Sequence, residues 1–199
     1  KKALRRSYER INNLNFFETV DLSPARRQQE PIMDLNVKVK EKMTGTLSVG
    51  GGYSSVDKLT AIAEVSQGNL GGRGQLLKVK VQTSHLRRIY SVSFMEPYLF
   101  DQPVWGRVDA YTQNQVYDGY DLRTNGFGLG IGKSYSEYVS ASLRFGMDRS
   151  DVYNLNKTPT YMLQKQLDYY GSSIETHSLT ATLTRDSRDF YLDPKTGSR

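Results

Sequence analysis

From about Thr44 onward the chain alternates apolar and polar residues so regularly that no single packed core could use all of its apolar faces. Val139, Ala141, Leu143, Phe145 and Met147 alternate with Ser140, Ser142, Arg144, Gly146 and Asp148. Leu77, Val79 and Val81 alternate with Lys78, Lys80 and Gln82. Period two puts each set on one face of a strand. The polar faces carry Lys, Arg, Glu and Asp and need water. The other faces carry Val, Leu, Ala and Phe and need a non-aqueous neighbour. Strands of about ten residues built this way suit a barrel with lipid outside and water inside. A soluble sandwich, with one face of each strand on a core, is the alternative that pattern alone leaves open.

Composition fits the barrel. Hydrophobic content is 37%, as a polar inner wall would require, and Tyr is abundant at 14 of 199 residues. Aromatic belts mark membrane interfaces. No apolar run approaches the ~18 residues of a membrane-spanning helix. Net charge is +6, but the basic residues are scattered. Lys78, Lys80, Arg107 and Arg144 are expected on inner faces beside Glu64, Asp109 and Asp148. That describes a solvated lumen rather than a phosphate track, so no nucleic-acid partner is expected. Cysteine is absent, which removes disulfides and thiolate metal sites. The chain opens without a signal-peptide pattern and stops just after a turn, so it reads as a fragment cut at both ends.

The first forty residues differ. Leu4, Tyr8, Ile11 and Leu14 recur at helical spacing, predicting an amphipathic helix that stops near Asn12 and Asn13. Phe16 to Leu22 reads as a strand, Ser23 to Glu30 as a polar loop helped by Pro24, and Met33 to Lys40 as a second strand. These elements are too few to bury a stable core alone. They read as the C-terminal part of a small α+β domain. Strands are then predicted at 44–53, 59–67, 75–83, 88–96, 104–115, 123–133, 138–148 and 173–186. Turn chemistry lies between them at Ser54 to Asp57, Asn69 to Gly72, Pro97 with Pro103, and Tyr117 to Gly119. Ser150 to Gly171 reads as a long polar loop.

Several segments carry a resemblance, in order and in register. The helix with Asn15-Phe16-Phe17-Glu18-Thr19-Val20 is similar to the last POTRA (polypeptide-transport-associated) domain of the BamA family of outer-membrane assembly factors. Val37-Lys38-Val39-Lys40-Glu41 resembles the domain's final strand. Asn69-Leu70-Gly71-Gly72-Arg73-Gly74 resembles the first periplasmic turn, and Glu96-Pro97-Tyr98-Leu99-Phe100 the end of the fourth barrel strand. Arg185-Asp186-Ser187-Arg188-Asp189, with Pro194, Gly197, Ser198 and Arg199, resembles the segment after the eighth strand. The resemblance implies a mainly β fold. Residues 1–42 would be the end of a POTRA domain in the periplasm. Residues 43–199 would be the N-terminal half, about eight strands, of a transmembrane antiparallel barrel in the bacterial outer membrane. It implies insertion and folding of other barrel proteins, with unfolded barrel clients, accessory lipoproteins and outer-membrane lipid as partners and no cofactor. A secretion or translocation pore of the same superfamily is the alternative.

Catalysis has little support. His85 is expected in a loop beside Arg87 and Arg88, and His177 on a strand facing the same way as Leu179. Neither has metal-ligand or nucleophile spacing around it. Gly128, Gly130 and Gly132 alternate with Phe127, Leu129 and Ile131, which is a strand with a bare inner face rather than a phosphate loop. Asn156-Lys157-Thr158 is a sequon that a bacterial outer-membrane loop would leave unmodified. Asp186, Arg188 and Asp189 read either as a salt-bridged turn at the barrel rim or as a docking point for the periplasmic domain or a lipoprotein.

The candidate site is the first barrel strand: Gly45, Thr46, Leu47, Ser48, Val49, Gly50, Gly51, Gly52 and Tyr53. Its free edge must pair with a last strand, and three consecutive glycines suit it poorly to a tenacious seam. One reading is that the glycines only relieve crowding or allow a bend. The other is a lateral gate whose opened edge accepts an incoming strand by β-augmentation. The family resemblance points to the same strand.

Overall fold

The computed structural model describes residues 2–26, 33–136, 138–155, 159–187 and 198. The chain forms two compact units, residues 1–45 and 46–199.

In the first unit, α1 (Lys2–Asn13) is followed by β1 (Phe17–Arg26) and β2 (Met33–Glu41), which pair antiparallel. Leu14 falls just past the helix, in a turn closed by its N–H donating to the Ile11 carbonyl at 3.2 Å. The expected polar loop from Ser23 is corrected in part. The strand runs on through Pro24, opposite Leu35, to Arg26 opposite Met33. Pro lacks an N–H, but a two-stranded ribbon is all edge, and an edge tolerates that loss. Residues 27–30, the rest of that expected loop, lie outside the described residues. Lys40 pairs with Glu18 at 2.7 Å across the ribbon.

The second unit is an eight-stranded antiparallel meander. Its strands are β3 (Gly45–Ser54), β4 (Lys58–Leu70), β5 (Gln75–Thr83), β6 (Arg87–Glu96), β7 (Val104–Tyr117), β8 (Tyr120–Ser134), β9 (Val139–Tyr153) and β10 (Ser173–Arg185). Each strand neighbours the next in sequence, leaving β3 and β10 at opposite ends of the sheet. The turns alternate between two ends. The connections after β4, β6 and β8 lie at one end, and those after β3, β5, β7 and β9 at the other. The β4–β5 turn needs its glycines: Gly71, Gly72 and Gly74 have φ of 63°, 74° and 72°, a region costly for other residues. Gly74 N–H donates to Asn69 Oδ1 at 2.7 Å and fastens the turn.

Register explains the alternation. Directly opposed residues point to the same side of a sheet. Val65, Val79, Val92, Ala110, Phe127 and Met147 form one unbroken row across β4 to β9, ending on His177 of β10. Two residues along, Leu77, Phe94, Val108, Leu129, Phe145 and Leu179 form a parallel apolar row. The other face carries Glu64, Lys80, Ser91, Tyr111, Gly126, Asp148 and Thr176 in one row. Among the described residues no hydrophobic side chain is fully buried, and Leu129, Ile131, Leu143 and Phe145 stay 38–48% exposed. A water-soluble protein does not leave such a continuous apolar surface uncovered. We call the apolar side the outer face.

The long segment after β9 corrects the loop expected from Ser150 to Gly171. The strand continues to Tyr153, and α2 (Tyr161–Tyr170) follows. Leu163 and Leu167 line a cleft with Leu122, Val152 and Ile174, which lie on the inner face. Gly171 ends the helix with φ 75°, its N–H donating to the Leu167 carbonyl at 2.8 Å. The sequon Asn156-Lys157-Thr158 lies outside the described residues.

Candidate functional site

β3 is an edge strand, and all ten of its residues are exposed. Leu47 is 71% and Val49 77% exposed. β10, the other edge, is open in the same way, with Leu183 78% exposed. Exposure alone therefore does not single out β3. The glycines do. A Cβ added at Gly50 or Gly52 would meet nothing within 4 Å, and one at Gly51 would meet only the Thr60 carbonyl oxygen at 3.2 Å. Crowding does not call for glycine at Gly50 or Gly52. None of the three has the left-handed backbone that favours glycine either. What the three glycines do is remove side-chain packing and raise the entropy cost of holding the strand extended.

The glycines of β8 are the opposite case, and they correct the expected bare inner face. A Cβ at Gly132 would lie 2.5 Å from the Trp105 ring, and one at Gly126 would fall inside the Tyr111 ring. β7 side chains use this groove to cross β8 and reach β9. The Tyr111 hydroxyl donates to Asp148 Oδ1 at 2.6 Å, passing over Gly126, the residue opposite both. Arg107 Nε donates to Asp109 at 2.8 Å, and Arg144 Nη2 reaches the same carboxylate at 3.3 Å. Across β6, on β5 and β4, Lys78 pairs with Glu64 at 3.0 Å. The inner face is thus an ion-paired surface on which rings of β7 lie over glycines of β8. The period-two glycines were visible in the sequence, but the rings that cover them were not, because the pairing register is needed to bring them together.

Of the rim group, the Asp186 N–H donates to the Tyr138 carbonyl at 2.7 Å, next to the end of β10. Arg188 and Asp189 lie outside the described residues. The same holds for Pro194, Gly197 and Arg199 of the resembling segment. His177 stacks on Phe145 with ring centroids 6.0 Å apart, on the outer face. The His85 N–H donates to the Asp57 carbonyl at 3.2 Å in the loops of the other end. Among the described residues, no three His, Asp or Glu side chains are placed to hold a metal ion, and no helix is long and apolar enough to cross a membrane.

Comparison with known proteins places this arrangement. BamA, the outer membrane protein assembly factor of Nitratidesulfovibrio vulgaris, is 29% identical over 195 residues, 98% of this chain and 24% of that protein. BamA of Neisseria meningitidis is 27% identical over 166 residues, 79% of this chain and 21% of that protein. The chain therefore spans about a quarter of the length of the curated relatives it matches. Among solved structures, BamA from Haemophilus ducreyi lacking POTRA domains 1–3 superposes with a TM-score of 0.75 at 20% identity, covering 96% of this chain and 39% of that one. CdiB from Acinetobacter baumannii gives 0.61 at 18% identity, covering 90% and 36%. The eight-stranded sheet has the fold of part of the BamA barrel. The family model described as the Omp85 superfamily domain matches residues 69–199, well over half of the chain, and the chain belongs to the Omp85 superfamily.

Proposed function

We propose that this chain is the barrel-entry portion of a subunit that folds and inserts β-barrel proteins into the bacterial outer membrane. Residues 1–42 would be the end of its last POTRA domain, on the periplasmic side. The observation that carries the reading is the run of three glycines, Gly50 to Gly52, on the strand that ends the sheet. An edge strand offers unpaired N–H and C=O groups. A seam made there with three glycines packs few side chains and opens at low cost. An incoming strand then adds by backbone hydrogen bonds, which are largely indifferent to sequence. That suits one machine serving many clients. Unfolded barrel proteins would be its substrates, accessory lipoproteins its partners, and no cofactor or catalysis of its own is required.

The names of the curated relatives favour assembly. The likeness to CdiB keeps a secretion or translocation pore as the second reading. Reconstitution of the full-length protein separates them. Liposomes carrying it should fold an unfolded barrel client severalfold faster than bare liposomes, read as a heat-modifiable band. An unchanged client rate, with passage of a soluble polypeptide into the lumen, would favour the pore.

A further inference from the structure

The turn between β6 and β7 differs from the other turns at its end of the sheet. It is a tight turn, Leu99 to Gln102, whose two central residues are in the left-handed region, Phe100 (φ 55°) and Asp101 (φ 58°). Neither is glycine, so each is held against a steric penalty. The turn is also pinned: Tyr98 N–H donates to Glu96 Oε1 at 3.0 Å, and Gln102 N–H to the Leu99 carbonyl at 3.0 Å. What this strained and fastened turn presents is a phenyl ring. Phe100 is 91% exposed.

Its position gives the ring a purpose. Leu99 lies on Gly106, where an added Cβ would be 2.5 Å from Leu99 Cδ1. Gly106 opposes Ile131, which opposes Leu143, so Leu99 extends an apolar row of the outer face. Phe100 is the next residue of the same turn, and it lines a cleft there with Arg73, Glu96, Tyr98 and Asp101. At the same end, Tyr135 is 69% exposed and lines an outer-face cleft with Ile131 and Leu143. Aromatic residues at such margins sit at the boundary between headgroups and acyl chains.

We propose that Leu99 and Phe100 form a membrane anchor, with the Phe100 ring inserted among the phospholipid chains of the leaflet on the 97–103 side. The inference rests on the reading of the outer face as lipid-facing. The turn is a rigid wedge whose backbone strain is offset by burying the ring in lipid. It fixes the depth at which β6 and β7 sit, as interfacial aromatics do.

The test uses the full-length protein in phosphatidylcholine liposomes, and the absence of cysteine from this chain simplifies labelling. Single cysteines replace Phe100, Leu129 and Asp118, each carrying an environment-sensitive fluorophore. Lipids with nitroxides at shallow or deep positions, and aqueous iodide, serve as quenchers. The Leu129 probe should be quenched by deep nitroxides, and the Asp118 probe by iodide. The Phe100 probe should be quenched severalfold more by shallow nitroxides than the Asp118 probe is. If Leu129 reports lipid while Phe100 follows iodide, as it would when exposed to water, the anchor is overturned and the lipid face stands. If Leu129 itself follows iodide, the lipid face falls and the anchor with it.

Discussion

Gly50 and Gly132 are the same residue in opposite surroundings. Gly132 lies beneath the Trp105 ring, so Gly132→Val must displace the ring or the strand. Overpacking of this kind costs about 1–3 kcal/mol, and the urea midpoint of the folded barrel should fall accordingly. Gly50→Val meets open space, and a β-branched residue favours a strand by roughly 1 kcal/mol at most. It should leave the midpoint unchanged or raise it while slowing client folding, because the seam tightens. Equal losses of stability in both variants would remove the distinction. The two faces of β9 give a second test. Leu143→Arg puts a cation on the outer face, at a cost of roughly 2–4 kcal/mol near the midplane. Ser142→Arg puts it on the wet side. Folding yield into liposomes should drop sharply for the first and little for the second, and equal yields would reverse inside and outside.

At the scale of elements, the strands were legible because Val, Leu and Phe alternate with Ser, Lys and Arg over long stretches. β5 begins at Gln75 and ends at Thr83, as its alternation indicates. Pro24 predicts an early end for β1, whereas an edge ribbon tolerates it opposite Leu35. Gln164, Lys165, Gln166 and Asp168 give the α2 segment the composition of a solvated loop. The i, i+4 pair of Leu163 and Leu167 was its only helical signal, and the partners of that pair, Leu122, Val152 and Ile174, are remote in sequence. Leu167→Asp should free this helix from the inner wall. Burial of a leucine side chain is worth about 1.5–3 kcal/mol when complete, so the local loss here should be smaller. Protease cleavage within 154–172 should speed up while the barrel keeps its heat-modifiable shift. Unchanged cleavage would mean that α2 is not held by these contacts.

Across the whole molecule, alternation distinguishes the two faces but not what covers them, nor which strand lies at an edge. The family resemblance, not the alternation, implies a free edge at β3, and the sheet order has β3 at one end. The antiparallel order also fixes which turns share a side. The proposed function puts residues 1–42 in the periplasm, and on that reading Asp118 should face the exterior and Arg73 the periplasm. Cysteines at these two positions in the full-length protein should be labelled on intact cells at Asp118 only, and labelling at Arg73 alone would invert the topology. The central claim is that the β3 edge receives client strands. Cysteines at Thr46, Ser48 and Gly50, paired with cysteines along the terminal strand of a stalled client barrel, measure this directly. The account predicts crosslinks in a register-dependent ladder, each β3 position matching one client position and its neighbours two residues away. Efficient crosslinks from Val81 or Val92 in the interior of the sheet, with none from β3, would contradict it.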